Sequence, residues 1–220
     1  MKILLFWEQS EWGGVDSHLE ELLLNWPNDE DEIHLVYNLG NEGFKRINAN
    51  LALKKNIHFY EFNSFSYSGI VTFFNKSKLK KLIRIFLHFL KPFLFYINKY
   101  KIKRFFKKNF NIVDVILVNN GGYPASWGCL ASIIVSKEIN IKKRLLLIHH
   151  AAAEYSFLLN IFEKYIDKMV INSATNIIFV SNASKQSFIE NRNFNKDNDK
   201  FSVIHNEYFL KTFKKNNVIK

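Results

Sequence analysis

The chain alternates short apolar runs with segments of helical periodicity. Residues 3–7 form an apolar run, a polar loop with Gly13 and Gly14 follows, and residues 15–26 then carry apolar side chains at helical spacing. This order predicts a strand, a glycine-containing loop and a helix. Further short apolar runs predict six more strands, at residues 33–37, 57–62, 113–118, 144–148, 176–180 and 201–204.

Segments of helical character separate these strands. They cover residues 44–55, 79–97, 126–135 and 155–173, and a last helix follows the capping sequence at 181–184. Strands that alternate with helices predict a Rossmann-like α/β fold, with a mostly parallel sheet and helices on both faces. Since no linker or fixed-period repeat divides the 220 residues, we expect one domain spanning residues 1–220.

Composition narrows the class of protein. Hydrophobic residues make up 48% of the chain, which is enough for a buried core. The single cysteine, Cys129, excludes an internal disulfide and a Cys-based metal cluster, and it fits a reducing compartment. Glu8 interrupts the first apolar run, which argues against a signal peptide, and no run is long enough to span a membrane. We therefore expect a cytoplasmic protein without a metal site.

Positive charge is concentrated in one segment. Between Glu61 and Asp114 there is no acidic residue, whereas residues 76–108 contain twelve Lys and Arg. The rest of the chain holds 19 Lys and Arg against 20 Asp and Glu, so the net charge of +11 belongs to this segment. A uniformly basic nucleic-acid-binding protein would show a different distribution, and no recognition motif is present, so nucleic acid is not a predicted partner.

The basic segment has the pattern of an amphipathic helix. Apolar side chains recur at helical spacing while lysines and Arg84 occupy much of the other face, and Pro92 is expected to kink or divide the helix. Such a helix can lie on an anionic membrane surface. The alternative is that its apolar face packs on the sheet and its lysines are merely solvated. The predicted membrane-contacting residues are Lys80, Lys81, Arg84, Phe86 and Lys91.

Polar residues follow the predicted strands. They are Gly13 and Gly14, Asn119 and Asn120, His149 and His150, Ser181, and Asn206. Because the carboxyl ends of parallel strands meet at one edge, we expect these positions to converge where open α/β folds bind ligands.

Two of these positions suggest particular chemistry. His149 or His150 could hydrogen-bond a sugar hydroxyl or assist proton transfer; otherwise one caps a helix and the other is solvated. The loop at Gly13 and Gly14 could admit a phosphate to a helix N-terminus, or could be only a tight turn.

Several enzyme classes lack support. The sequence contains no P-loop, no nucleophile-elbow serine, no HExxH pair and no GxGxxG after the first strand. The missing glycine fingerprint counts against nicotinamide chemistry.

Four segments together resemble the N-terminal half of a GT-B glycosyltransferase, and within that class the retaining family 4. They are GGVDSHLEEL (13–22), LLLIHH (145–150), NIIFVSNASKQSF (176–188) and VIHNEY (203–208). Their order and spacing match the family over almost the whole chain, with one half of a GT-B fold as the expected architecture.

The resemblance implies functional roles. The N-terminal domain would bind the acceptor, and a C-terminal domain would bind the nucleotide-sugar donor, which is a co-substrate rather than a cofactor. His149, or else His150, would contact the transferred sugar as the catalytic histidine. Gly13 and Gly14 would approach the donor diphosphate. The implied substrate-binding residues are Gly13, Gly14, His18, Asn119, Asn120, Ser181 and Asn206.

The resemblance also implies a cellular context. Enzymes of this type often act on lipid-linked or membrane-bound acceptors. We therefore expect a glycan or glycolipid acceptor in cell-surface polysaccharide or lipopolysaccharide synthesis. The protein would work as a peripheral enzyme on the inner face of the plasma membrane.

Two departures from the family pattern matter. Glu207 replaces the usual glycine after Asn206, and the sequence ends at Lys220, about where the second domain should begin. No pair of glutamates lies eight positions apart, as the donor-site motif requires. We expect a truncated product, an expressed domain, or one subunit of a split enzyme with a separate C-terminal half, inactive alone.

Two other readings stay open. One is a non-catalytic α/β module that binds a glycan or an anionic membrane. The other is a sugar-nucleotide epimerase of related two-domain shape.

Overall fold

Seven parallel strands form one sheet. The computed structural model describes residues 1–9, 12–64 and 80–205, with only the backbone for residues 80–85 and 87. The strands are β1 (Lys2–Trp7), β2 (Glu32–Asn38), β3 (Ile57–Phe62), β4 (Val115–Asn120), β5 (Lys143–Ile148), β6 (Asn176–Phe179) and β7 (Phe201–Val203). The helices are α1 (Gly14–Leu24), α2 (Phe44–Asn50), α3 (Lys80–Asn109), α4 (Trp127–Glu138), α5 (Asn160–Ser173) and α6 (Asn182–Arg192).

The strand order is β3-β2-β1-β4-β5-β6-β7. The chain first builds outward from β1 to β3, and α3 then carries it across the sheet to β4. The order therefore reverses between β1 and β4, and such a reversal opens a crevice at the carboxyl ends of these strands. The predicted Rossmann-like fold is confirmed.

The sheet is buried on both faces. Leu4 and Phe6 of β1 pack in one hydrophobic cluster with α3 and α4, whereas Leu5 and Trp7 pack in a second cluster with α1 and α2. All four side chains are at most 2% exposed. A parallel strand covered by helices on both faces is apolar along its whole length, which explains the apolar runs in the sequence.

Helix α3 is a single helix of 30 residues that continues through Pro92, so Pro92 does not divide it. Its buried face carries Phe95, Ile102 and Phe106, which pack in the core beside α4. The interpretation that an apolar face packs inward is therefore correct for these residues. Phe86, in contrast, is 63% exposed.

Some predicted boundaries were wrong. Helix α5 begins at Asn160 rather than at residue 155. In the turn before it, the Tyr155 hydroxyl donates to the Arg192 carbonyl at 2.8 Å, and the Ser156 N–H donates to Glu163 at 3.4 Å. These tertiary contacts hold the turn in a non-helical path. Helix α2 also ends earlier than predicted, at Asn50.

None of the helices in the described part of the chain is long and apolar enough to cross a membrane.

A buried ion-pair network joins α5 and α6. Arg192 is 1% exposed; its Nη1 lies 2.7 Å from Glu163 Oε2, and its Nε lies 3.5 Å from Asp167 Oδ2. The Tyr123 hydroxyl donates to Asp167 Oδ1 at 2.7 Å, and the guanidinium stacks 4.4 Å from the Tyr155 ring centroid. Burial raises the pKa of Asp167, while Arg192 opposes that shift. The arginine is therefore the cation that makes two buried carboxylates tolerable.

Replacing this arginine should be costly. We expect Arg192→Met to lower the free energy of unfolding by about 3–5 kcal/mol, since it leaves buried charge without its partner. Lys54 offers a control, because it lies 3.4 Å from Asp29, whose side chain is 84% exposed. Lys54→Met should cost less than about 1 kcal/mol. Urea unfolding measures both, and similar losses in the two variants would contradict the assigned role.

Candidate functional site

The carboxyl ends of the central strands meet at one edge. In the sheet register Trp7 pairs with Asn119, Asn120 pairs with Ile148, and Ile148 pairs with Phe179. The residues that follow these strands therefore emerge side by side, as the sequence predicted. Asn206 lies outside the described residues.

Three polar side chains meet beside the point where the strand order reverses. We call His18 of α1, Asn119 of β4 and His149 after β5 the strand-end cluster. The His149 Nε2 and Asn119 Oδ1 atoms are 2.7 Å apart, and the ring centroids of His18 and His149 are 4.8 Å apart. His149 is 7% exposed and Asn119 is 2% exposed. The structure thus brings together three of the predicted site residues, from three different elements.

Burial keeps His149 neutral. Burial first, and then the nearby His18 and His150, lower the pKa of His149 from 6.5 to about 3. Burial also lowers the pKa of His18. Since Asn119 Oδ1 can only accept, the neutral ring of His149 carries its proton on Nε2 and donates it. This state favours a hydrogen-bonding role over the proton transfer considered from the sequence.

The strand-end cluster and the adjacent Asn120 contain buried polar atoms without a hydrogen-bond partner. His18 Nδ1, Asn119 Nδ2 and Asn120 Nδ2 are buried and have no hydrogen-bond partner among the described residues. An unsatisfied buried polar atom costs about 1–3 kcal/mol, so such atoms are rare in folded proteins. Atoms of this kind at a strand end are suited to a ligand that both donates and accepts hydrogen bonds.

The N–H groups at the glycine loop before α1 are partly satisfied by a carboxylate of the chain itself, that of Asp16. The Asp16 carboxylate accepts from the Gly13 N–H at 2.5 Å and from Trp7 Nε1 at 2.8 Å, and burial raises the pKa of Asp16. Gly13 is extended (φ −162°), so its conformation does not require glycine. A Cβ at Gly14 would meet nothing within 4 Å. Neither position therefore requires glycine for steric reasons.

Glu8, which follows β1, is a contact that sequence reasoning missed. Its carboxylate accepts from the Gly128 N–H at 2.9 Å, the Ser64 hydroxyl at 2.7 Å and the Ser126 hydroxyl. It therefore lies at the N-terminus of α4, where the helix dipole stabilises negative charge. Gly128 admits it, because a Cβ there would lie 2.7 Å from Glu8 Cδ.

The remaining predicted residues are not members of the cluster. Ser181 caps α6, accepting from the Ser184 N–H at 3.1 Å, so the capping prediction is confirmed. His150 is exposed, and its backbone N–H donates to the Gly121 carbonyl at 2.7 Å. Lys91 is half-buried, and burial lowers its pKa while Glu163 raises it. The side chains of Lys80, Lys81 and Arg84 lie outside the described part of the chain.

The buried histidine should make stability depend on pH. The unfolded state takes up a proton near pH 6.5, whereas folded His149 does so only near pH 3. Its contribution is therefore complete above pH 6.5 and is lost as the pH falls below it, by up to about 1.4 kcal/mol per pH unit. We expect His149→Gln to flatten the dependence of the unfolding free energy on pH between about pH 7 and pH 5. The control, His150→Gln, should keep the wild-type slope; equal slopes in all three proteins would contradict the pKa assignment.

The contact between Glu8 and α4 can be tested by a double-mutant cycle. Gly128→Ala should cost about 1–3 kcal/mol in the wild-type background, because the added methyl group displaces the buried carboxylate from its hydrogen bonds with the Gly128 N–H and the two serine hydroxyls. In a Glu8→Ala background the same change should stabilise the protein by up to about 1 kcal/mol, since alanine favours a helix. Urea unfolding of the four proteins gives both values. Equal effects in the two backgrounds would show that Glu8 does not occupy this helix end.

No protein-family model and no curated protein matches the sequence. Solved structures do share the fold. The lipopolysaccharide outer core galactosyltransferase WaaB aligns with a TM-score of 0.52 and 17% identity, over 96% of this chain and 47% of that one. MurG from Acinetobacter baumannii aligns with a TM-score of 0.50 and 14% identity, over 94% and 47%. UDP-GlcNAc 2-epimerase from Neisseria meningitidis, bound to UDP-GlcNAc, aligns with a TM-score of 0.50 and 14% identity, over 92% of this chain and 46% of that one.

The chain spans about half the length of these structures. Its seven-stranded parallel sheet aligns with about half of each of these enzymes. The chain therefore has the fold of one half of a GT-B enzyme.

Proposed function

We propose that this chain is the acceptor-binding half of a glycosyltransferase that takes its sugar from a nucleotide-sugar donor. The observation that carries the proposal is the strand-end cluster, because its unpaired polar atoms lie at the reversal point of the sheet. Open α/β folds bind their ligands at that point.

The chemistry of the cluster suits a sugar. A sugar hydroxyl can accept from Asn119 Nδ2 and donate to or accept from His18 Nδ1, so it would satisfy atoms that the protein leaves unpaired. His149, held by Asn119, is a neutral hydrogen-bonding group that positions the ligand. We propose no cofactor or metal: dipoles and basic side chains would stabilise the departing diphosphate.

The acceptor is the finer part of the proposal. We propose a membrane-associated glycan or glycolipid, used for cell-surface polysaccharide synthesis on the cytoplasmic face, with a C-terminal donor-binding half that completes the site. The exposed Phe86 and the absence of acidic residues between Glu61 and Asp114 support contact with a membrane. The roles of Gly13, Gly14, Ser181 and Asn206 stay predictions.

Sugar transfer tests the enzymatic part. Labelled UDP- and GDP-sugars and a membrane extract of the source cells would be incubated with this chain, alone and together with a C-terminal donor-binding half. We expect transfer in the supplemented reaction. His18→Ala and His149→Ala should each lower kcat/KM about tenfold to a hundredfold, since each removes a buried hydrogen bond to the substrate.

His58→Ala is the matched control, because His58 is exposed and lies on the edge strand β3, away from the strand-end cluster at β4. It should leave kcat/KM unchanged. Absence of both transfer and nucleotide-sugar binding in either preparation would refute the enzymatic proposal. Glycan binding that His149→Ala weakens, without any transfer, would instead support the non-catalytic module.

A further inference from the structure

Exposed aromatic side chains concentrate on one surface. Every exposed Phe, Tyr or Trp among the described residues lies on α3, on α5 or in the turn before α5. These side chains are Phe86, Phe89, Phe93, Tyr96, Tyr100, Phe157 and Tyr165. Scattered apolar residues are normal on a protein surface, but a cluster of aromatic rings from two elements is not.

The two elements form one continuous surface. On α3 the exposed rings recur every three or four residues, so they share one side of the helix. On α5, Ile161 and Tyr165 are four residues apart and are 88% and 52% exposed. The Tyr96 ring lies 6.4 Å from that of Phe162. Burial, and then the neighbouring Tyr165, raise the pKa of Tyr96. We call this set of exposed residues, with Leu158, the aromatic surface.

The core does not need these side chains. Helix α3 buries Phe95 and Ile102 on its inner side, and α5 buries Ile166 and Val170. Each helix thus has a second apolar side that folding leaves in solvent. Phe157, in the turn, is 95% exposed.

The charges beside the aromatic surface are mostly positive. Both acidic residues of α5, Glu163 and Asp167, are buried and paired with Arg192, whereas Lys164 and Lys168 are exposed. Helix α3 contains no acidic residue. In the turn, Glu154 is an exposed exception.

We propose that the aromatic surface docks on an anionic lipid bilayer, with α5 and its preceding turn as full parts of the contact. Phe and Tyr rings partition into the interfacial region of a bilayer, and lysines beside them are attracted to anionic headgroups. A second copy of this chain is a poorer occupant. A two-fold interface would bring the same surface to both sides and place lysines opposite lysines.

The proposal extends membrane contact beyond the basic helix that the sequence indicated. It does not depend on sugar transfer, so vesicle binding and turnover can fail separately.

Vesicle flotation tests it with the chain as it is. Vesicles of phosphatidylcholine with about 30% phosphatidylglycerol should bind the protein, and pure phosphatidylcholine should bind it at least about tenfold more weakly. Phe157→Ser with Ile161→Ser should weaken binding about tenfold or more. Leu53→Ser, at a side chain 94% exposed on α2's C-terminal turn, is the matched control and should bind like the wild type.

Charge reversal separates this surface from general attraction. Lys164→Glu with Lys168→Glu should lower binding about tenfold or more, whereas Lys142→Glu with Lys196→Glu, of equal net charge and also exposed, should have a smaller effect. Equal losses in the two pairs, or no binding to either vesicle, would overturn the proposal. The proposal would also be overturned if the protein did not bind vesicles but formed a dimer, and if Phe157→Ser with Ile161→Ser dissociated that dimer.

Discussion

A sheet whose strands are all parallel sends every strand end, and the N-terminus of each following helix, to the same edge. Each helix N-terminus carries unpaired N–H groups and partial positive charge. In this chain, side chains accept hydrogen bonds from the N–H groups at three of these helix N-termini. They are Asp16 at α1, Glu8 with Ser126 at α4, and Ser181 at α6. These three helix N-termini are therefore balanced before any ligand arrives, whereas α2 and α5 have no side-chain cap. Asn41 after β2 and Asn160 at the start of α5 also have an unpaired buried oxygen, but the unpaired atoms of His18 and Asn119 lie together beside the reversal point of the sheet.

This balance bears on which ligand the edge can hold. Carboxylates already lie at the N-termini of α1 and α4, so a phosphate bound directly there would meet negative charge as well as the helix dipole. The spare atoms of His18 and Asn119, in contrast, are neutral hydrogen-bonding groups. Such an edge is better matched to the hydroxyls of an acceptor sugar than to a diphosphate. A second domain would then have to supply most of the binding for the charged donor.

The sequence predicted the sheet well because a strand covered on both faces must be apolar throughout, and such runs are visible without any alignment. It also placed His149 and Asn119 at one edge, because parallel topology alone brings strand ends together. It could not find the role of Glu8, whose partners Ser126 and Gly128 lie 118 and 120 residues away in the chain. It placed the start of α5 too early, because Phe157 continues the apolar pattern of the helix although it points to solvent. Apolar periodicity does not distinguish a side chain in the core from one on an exposed aromatic surface.

The loop between β5 and α5 links the strand-end cluster to the aromatic surface. It begins at His149 in the strand-end cluster and reaches Phe157 in the aromatic surface. Between them it is fixed to α6: Asn191 Nδ2 donates to the Ala152 carbonyl at 2.7 Å, and the Tyr155 hydroxyl donates to the Arg192 carbonyl at 2.8 Å. A loop anchored in this way holds its two ends at a set separation. If the aromatic surface lies on a bilayer, His149 of the strand-end cluster is then held at a fixed distance from the lipid. An acceptor with a lipid tail in the bilayer and a sugar in the cleft would meet both surfaces at once, whereas a soluble glycan would use only the second.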